Sequence, residues 1–336
     1  MRKHIINAVT GLLLASVFLY LTLRNKPLDE IFKLLKEVNL NWILVSGIFL
    51  ALVFVLRSLR WKLLLNNTGA RPGFSDVSYS YLLGVFVNSF TPKLGEVVRC
   101  TSIEKSSGIE TSKSFGTVIS ERFYDLAALV AGILIILFFE SDRLGSLVAN
   151  AFKNLFAGIG SRALVILIYI AAALAVGILL WMLARKFGLA GRIKNFARGV
   201  ASTAKMTFRI KQSRNFALQT ILIWGVMILM NYAVLRSLPA TESFSLYFAM
   251  VALFIGTIGW AIPSPGGIGT SHFFILQLFI LFNLNEETGI AYGILINGLQ
   301  VFFTIAAGFL ALSIVTIIRT LKKKTKHIKD EKNQNH

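Results

Sequence analysis

Glu121, Arg122 and Asp125 stand in the first third of an apolar run covering residues 115–139, where ionisable side chains need a reason to be present. Each such group near the centre of a membrane span costs about 2.5–3.5 kcal/mol on insertion scales, and it usually turns toward a bundle interior or water. Glu121 and Asp125 are four residues apart and share one helix face, and Arg122 precedes Asp125 by three, a spacing suited to an internal ion pair. If these residues lay at the solvated end of the helix, they would merely cap it. Guanidinium and carboxylate groups held in a dry cavity suit a zwitterionic or anionic headgroup, and carboxylates there balance charge or carry coupling protons. A transferase would use Glu121 or Asp125 as general base, but no nucleophile–base pair accompanies them.

Three further groups have comparable chemistry. Arg57 and Arg60 are about one turn apart beside Trp61 in RSLRWK, placed either to anchor a helix end at the interface or to grip a lipid phosphate as a guanidinium pair. In TPKLGEVVR, Pro92 and Gly95 interrupt an apolar run, and Glu96 and Arg99 follow on one face if a helix resumes. In WAIPSPGGIGTSHFF, Pro263 and Pro265 remove backbone donors, while Gly266, Gly267 and Gly269 favour non-helical angles, so no continuous helix crosses there. An ordinary turn outside the membrane has the same composition. At membrane depth, such a break requires its freed N–H and C=O groups to be buried in protein or to line a wet cavity. His272 follows this break, and Asn297 and Gln300 are polar positions in the last apolar run.

The elements that must position these residues are hydrophobic. Of 336 residues, 55% are apolar, which places the chain in the membrane class. Its net charge of +19 suggests nucleic acid at first sight, but Lys and Arg gather beside apolar runs and point to anionic lipid instead. His4, His272, His327 and His336 lack metal-ligand spacing, the glycines of GGIGTS lack the lysine of a phosphate loop, and Cys100 is the only cysteine. No metal, cofactor or nucleotide is therefore expected. Full spans are predicted over 5–23, 42–56, 115–139, 163–183, 216–235 and 290–318, the first being a retained helix without a cleavage site. Shorter runs at 79–90, 244–262 and 273–282 flank the two breaks, and 97–113 is too polar to face lipid. Residues 24–41 have the spacing of a surface-lying amphipathic helix.

Residues 185–214 carry nine Lys or Arg and no acid, which predicts a basic interfacial helix on the cytoplasmic side. The positive-inside rule also places residues 1–4, 57–76 and the tail from Arg319 in the cytoplasm, and leaves 140–162 and 236–243 outside. Parity then requires the Pro92 element to enter and leave from inside and the Pro263 element from outside. The expected fold is an all-α polytopic bundle of about six spans with two opposed re-entrant hairpins, an inverted-repeat-like plan, although no fixed-period repeat is visible. Residues 1–320 form one transmembrane domain, and 321–336 a basic tail with a disordered end.

With RSLRW, NSFTPKLGEVVR, the Glu121-Arg122-x-x-Asp125 pattern and PSPGGIG in order, nearly the whole chain resembles the lysylphosphatidylglycerol synthase transmembrane regions and their free-standing flippase-like relatives. The resemblance implies two broken hairpins around a lipid-accessible cavity in a bacterial cytoplasmic membrane, and in the full-length synthases it implies translocation of an aminoacylated phospholipid. Many members have a Glu where His272 stands here. Only a short basic tail follows the last span, so lipid aminoacylation is not implied. A flippase or carrier for a phospholipid or lipid-linked headgroup is the leading expectation. Arg99 and Arg122 would attract the phosphate, and the three carboxylates would balance charge or couple protons. A membrane-embedded transferase and a non-catalytic subunit of an envelope-synthesis complex are the alternatives, with self-association as a further partnership.

Overall fold

A computed structural model describes residues 2–91, 93–140, 195, 198–200, 202–203, 213–262 and 264–334. Pro92, Pro263, the span expected over 163–183, the loop before it and most of the basic segment 185–214 lie outside the described residues. Among the described residues every regular element is helical: α1 Arg2–Leu23, α2 Leu28–Lys36, α3 Leu40–Asn67, α4 Phe74–Phe90, α5 Leu94–Ser107, α6 Thr111–Phe139, α7 Ser213–Ser237, α8 Leu246–Ala261, α9 Thr270–Leu281 and α10 Glu286–Gln334. Single 3₁₀ turns lie at Pro239–Thr241 and Pro265–Gly267. Four helices, α3, α6, α7 and the Glu286–Ile314 part of α10, are long and apolar enough to cross a bilayer.

The frame is an antiparallel pair, α3 against α7. Asn39 N–H donates to the Ser237 carbonyl at 2.8 Å, Ser46 Oγ to the Met230 carbonyl at 3.2 Å, and Arg60 to Thr220 Oγ1 at 3.3 Å. The buried face of α3 carries Ser46 toward α7, Gly47 against Phe303 of α10, and Leu50, while Leu40, Leu44, Ile48, Leu52, Val55 and Leu59 form an exposed stripe at helical spacing. That stripe is the lipid-facing side of the helix.

The two shorter helix pairs hang from opposite ends of this frame. α4 begins seven residues after α3 ends, so its base lies at the Asn67 end, and α5 returns there through a Ser107–Asp76 hydrogen bond of 3.3 Å. α8 begins beyond Ser237, at the other end, and α9 returns there with Phe282 5.6 Å from Phe248. With 17, 14, 16 and 12 residues in α4, α5, α8 and α9, none spans about 30 Å of hydrocarbon at 1.5 Å per residue. Both pairs are therefore re-entrant, and they enter from opposite faces, as parity requires.

Their tips meet inside the bundle, where a side chain on Gly266 would lie 2.9 Å from Val301 of α10 and 3.7 Å from the Ser89 carbonyl of α4. α10 runs past both hairpins, placing Tyr292 6.2 Å from Phe279 and Phe309 5.2 Å from Phe86. α6 crosses once, from the level of Arg60 to Phe139, which lies 6.3 Å from Tyr247. α1 lies along the second hairpin with Phe18 5.3 Å from Phe273, and Lys26 pairs with Glu286. α2 buries only Ile31, which suits a helix lying at the surface.

Two boundaries differ from expectation. The run predicted to stop at residue 56 continues as helix to Asn67, because Arg57 and Arg60 find acidic partners inside the bundle and do not need water. The tail predicted to end in disorder is instead a helical continuation of α10 to Gln334.

The arms of the first hairpin cross at a glycine pair. A β-carbon on Gly84 would lie 2.8 Å from the Gly95 carbonyl, and one on Gly95 would run into the Gly84 carbonyl and Asn88. Gly84→Val and Gly95→Val should each force the arms apart and lower the thermal aggregation temperature of detergent-solubilised protein. Gly225→Val, where a β-carbon meets nothing within 4 Å, should leave it nearly unchanged.

Candidate functional site

Charge inside the bundle is arranged as one alternating chain. Arg57 lies 3.4 Å from Asp125, Asp125 lies 2.8 Å from Arg60, Arg60 lies 3.2 Å from Glu121, and Glu121 bonds Arg99. The Arg60–Asp125 approach is an ion-pair contact and not an aligned hydrogen bond, since Asp125 Oδ1 has no hydrogen-bond partner. The chain joins α3, α5 and α6. Arg60 and Glu121 are fully buried, so they are neither interfacial anchors nor solvated caps. Arg99 has its guanidinium 3.9 Å from the centre of the Trp61 ring and 5.4 Å from that of Tyr81, so π faces cover the charge that Glu121 leaves over. Trp61 is held in turn by its indole N–H, which donates to Thr117 Oγ1 at 3.0 Å.

Arg122 does not pair with Asp125, as its spacing suggested. It meets Glu96 of α5 at 3.1 Å instead, with half of its side chain exposed. Glu96 lies within 3.5 Å of Asn88 Nδ2 as well.

Both breaks are stabilised by side chains that satisfy freed backbone groups. Asn88 Oδ1 accepts from Gly95 N–H at 2.8 Å, at a turn where Lys93 adopts φ 67°, an uncommon angle for a residue with a side chain. In the second hairpin, Gly266, Gly267 and Gly269 have φ of 56°, 70° and 81°. The Gly266 carbonyl accepts from Asn297 Nδ2 at 2.8 Å, and the Gly267 carbonyl accepts from Ser271 Oγ at 2.8 Å and Thr270 Oγ1 at 3.2 Å. His272 is buried and its Nδ1 accepts from Gly269 N–H at 3.2 Å, so it caps α9.

Between the two tips lies a cavity of about 460 Å³, within the range of small-molecule sites. Of the residues singled out from sequence, Arg57, Glu96, Arg122, Asp125, Gly266 and Gln300 line it. Arg60, Arg99 and Glu121 support the charged wall from behind, and Gly95, Pro265, Gly267, Gly269, His272 and Asn297 shape the turns without lining the space. Among the polar lining residues missed from sequence are Lys93, Asn88 and Asn231. Lys93 lies inside the motif already noted, next to a proline in a broken helix, and that position was its available signal. Every charged lining residue comes from α3, α6 or the first hairpin, while the second contributes neutral Thr257, Trp260, Ser264 and Ser271. Leu126, more than half exposed, lines the cavity too, so the space opens laterally beside α6.

These features define an integral membrane protein with two opposed re-entrant hairpins whose tips enclose a charged cavity. The chain belongs to the family described as the lysylphosphatidylglycerol synthase TM region, which matches residues 8–308. It is similar to a UPF0104 membrane protein of Methanocaldococcus jannaschii, 23% identical over 94% of this chain and 97% of that one. A UPF0104 membrane protein of Pyrococcus horikoshii is 24% identical over 87% of this chain and 90% of its own length. No solved structure matches the chain.

Glu121 touches two arginines that are 0% and 4% exposed, so Glu121→Gln leaves both short of a counter-charge. Breaking a buried pair from one side costs about 3–5 kcal/mol, and the folded fraction should fall sharply in a denaturation series. Glu96→Gln, which releases only the half-exposed Arg122, should cost well under half as much. Equal losses would show that Glu121 does not hold the helices together.

Proposed function

We propose that the protein translocates a lipid with a phosphate-bearing headgroup, the headgroup entering the cavity while the chains remain in the bilayer beside α6. The observation that carries this reading is that the space between the hairpin tips is both charged and open to the lipid side at Leu126. A headgroup crossing the hydrocarbon unaided would leave its ionic groups unsolvated, and the cavity wall supplies hydrogen-bonding cations in place of water. The two hairpins reach it from opposite faces, so separation of either tip would open it to one side, an arrangement of the alternating-access kind. The basic flanks orient the chain with both termini in the cytoplasm, against an anionic leaflet.

Liposomes containing the purified chain and a panel of fluorescent phospholipids test this directly. Lipid in the inner leaflet should become accessible to an external quencher faster than in protein-free liposomes, and the recovered lipid should be chemically unchanged. A modified lipid would mean transferase activity instead. Inserting two serines between Ser264 and Pro265 should abolish translocation at normal expression, because the turn packs against α1, α4 and α10. A fully active insertion mutant would make this segment an ordinary loop. For orientation, a single cysteine at position 240 in a Cys100→Ser background should react with an impermeant thiol reagent added to intact cells, and one at position 325 should not.

A further inference from the structure

The buried charges do not balance, and the imbalance emerges at the cavity. The chain from Arg57 to Arg99 alternates cation and carboxylate and has a cation at each end. The chain thus carries one cation more than it has carboxylates, and its Arg99 end is shielded by the faces of Trp61 and Tyr81. At the Arg57 end no aromatic face covers the guanidinium among the described residues. Arg57 meets Asp125 at 3.4 Å, longer than a strong charge-assisted bond, and its other terminal nitrogen has only the Met227 sulfur at 3.6 Å. Lys93 adds a second cation to the lining of the same cavity, exposed at the hairpin tip and without an acidic partner among the described residues. The Arg122–Glu96 pair is neutral as a unit. Among the described residues, three cations (Arg57, Lys93, Arg122) and two carboxylates (Glu96, Asp125) therefore line this space, with Arg60, Arg99 and Glu121 behind them adding a further surplus cation.

We infer that Arg57 and Lys93 form an anion-binding pair, and that the ligand is a phosphate group with net negative charge in its molecule, not a zwitterionic or cationic headgroup. An unbalanced guanidinium facing a cavity in a low-dielectric surrounding is stabilised by an anion and destabilised by any further cation. A headgroup carrying two amines with one phosphate, such as lysylphosphatidylglycerol, would bring net positive charge against a wall already positive. Phosphatidylglycerol and phosphatidic acid bring the missing negative charge. This assignment rests on the lipid-carrier reading above but is tested by binding, so the two fail separately.

The full chain in phosphatidylcholine nanodiscs is titrated with short-chain phosphatidylglycerol, phosphatidic acid and lysylphosphatidylglycerol, and with glycerol 3-phosphate, and bound ligand is counted by native mass spectrometry. The two anionic lipids should bind at least about tenfold more tightly than the cationic one, the worth of one charged hydrogen bond at its low end. Lys93→Asn, which tolerates the left-handed turn, and Arg57→Gln should each weaken binding by about tenfold or more, and Arg57→Lys should restore part of the loss. Equal affinity for the cationic lipid, or unchanged binding in Lys93→Asn, would overturn the assignment. Competition by glycerol 3-phosphate as strong as by the lipids would keep the phosphate pair but remove lipid as its carrier. Selective anionic-lipid binding without translocation in liposomes would leave the pair standing and dismiss the transport reading.

Discussion

Glu121 decides where three helices can sit. A carboxylate buried to 1% exposure between Arg60 and Arg99 admits few arrangements, since each lost contact leaves a charge in a medium that cannot solvate it. Arg60 comes from α3 and Arg99 from α5, so a rotation of α6 by one residue would break both bonds together. The first hairpin is thereby fixed to the α3–α6 frame by charge. Position along the alternating chain also sets what each member is worth to the fold. Interior members each bridge two opposite charges, whereas Arg57 at the end shares Asp125 with Arg60, so the fold depends on it least. Within the alternating chain, the arginine that lines the cavity is thus the one that the packing needs least.

The second hairpin is held by a different kind of interaction. Its tip has no ion pair among the described residues and depends on neutral groups: Asn297 from α10, and Ser264, Thr270 and Ser271 within the turn. Serine and threonine hydroxyls satisfy the carbonyls that the broken helix releases, which is the condition for irregular backbone at membrane depth. Neutral hydrogen bonds are roughly half as strong as charge-assisted ones. Displacing this tip therefore costs less than displacing the first, and the two gates of an alternating carrier built on this plan would not be equivalent.

Much of this arrangement was legible in the sequence, for identifiable reasons. Proline and glycine at each break, and apolar arms too short to span, specify re-entrant hairpins before any contact is known. Basic flanks and parity then oppose them, and α3 and α7 place their bases at opposite ends as that argument required. What stayed hidden was pairing across helices. Arg122 looked bonded to Asp125 within α6, but Glu96 lies 26 residues away and only the approach of α5 brings it near. Arg57 and Arg60 looked like a helix end because a lone arginine in an apolar run is unfavourable, and the carboxylates that neutralise them are more than 60 residues on. His272 looked like a headgroup ligand from its place after the glycines, whereas its ring serves the backbone of that turn.

The polarity of the cavity is graded along the bundle, and the gradient follows from which elements build it. Arg57, Asp125 and Arg122 lie on α3 and α6, at the level reached by the tip of the first hairpin, which adds Lys93 and Glu96. Toward the opposite face, α3, α7 and α8 contribute Leu50, Met230, Ala252 and Leu253 to the same space. In the proposed carrier a headgroup entering from the first hairpin's side would meet charge at once, while one entering from the other face would cross a stretch whose polar lining is neutral, Asn231 beside Met230, and lose water before a cation could replace it. Removing the hydration of a phosphate ahead of its compensation is the expensive order of events. In the proposed carrier, oriented with the first hairpin toward the cytoplasm, the loading step of least cost would be from the cytoplasmic leaflet. Release on the far side of such a carrier would then require the second hairpin to move far enough to admit water to the charged wall.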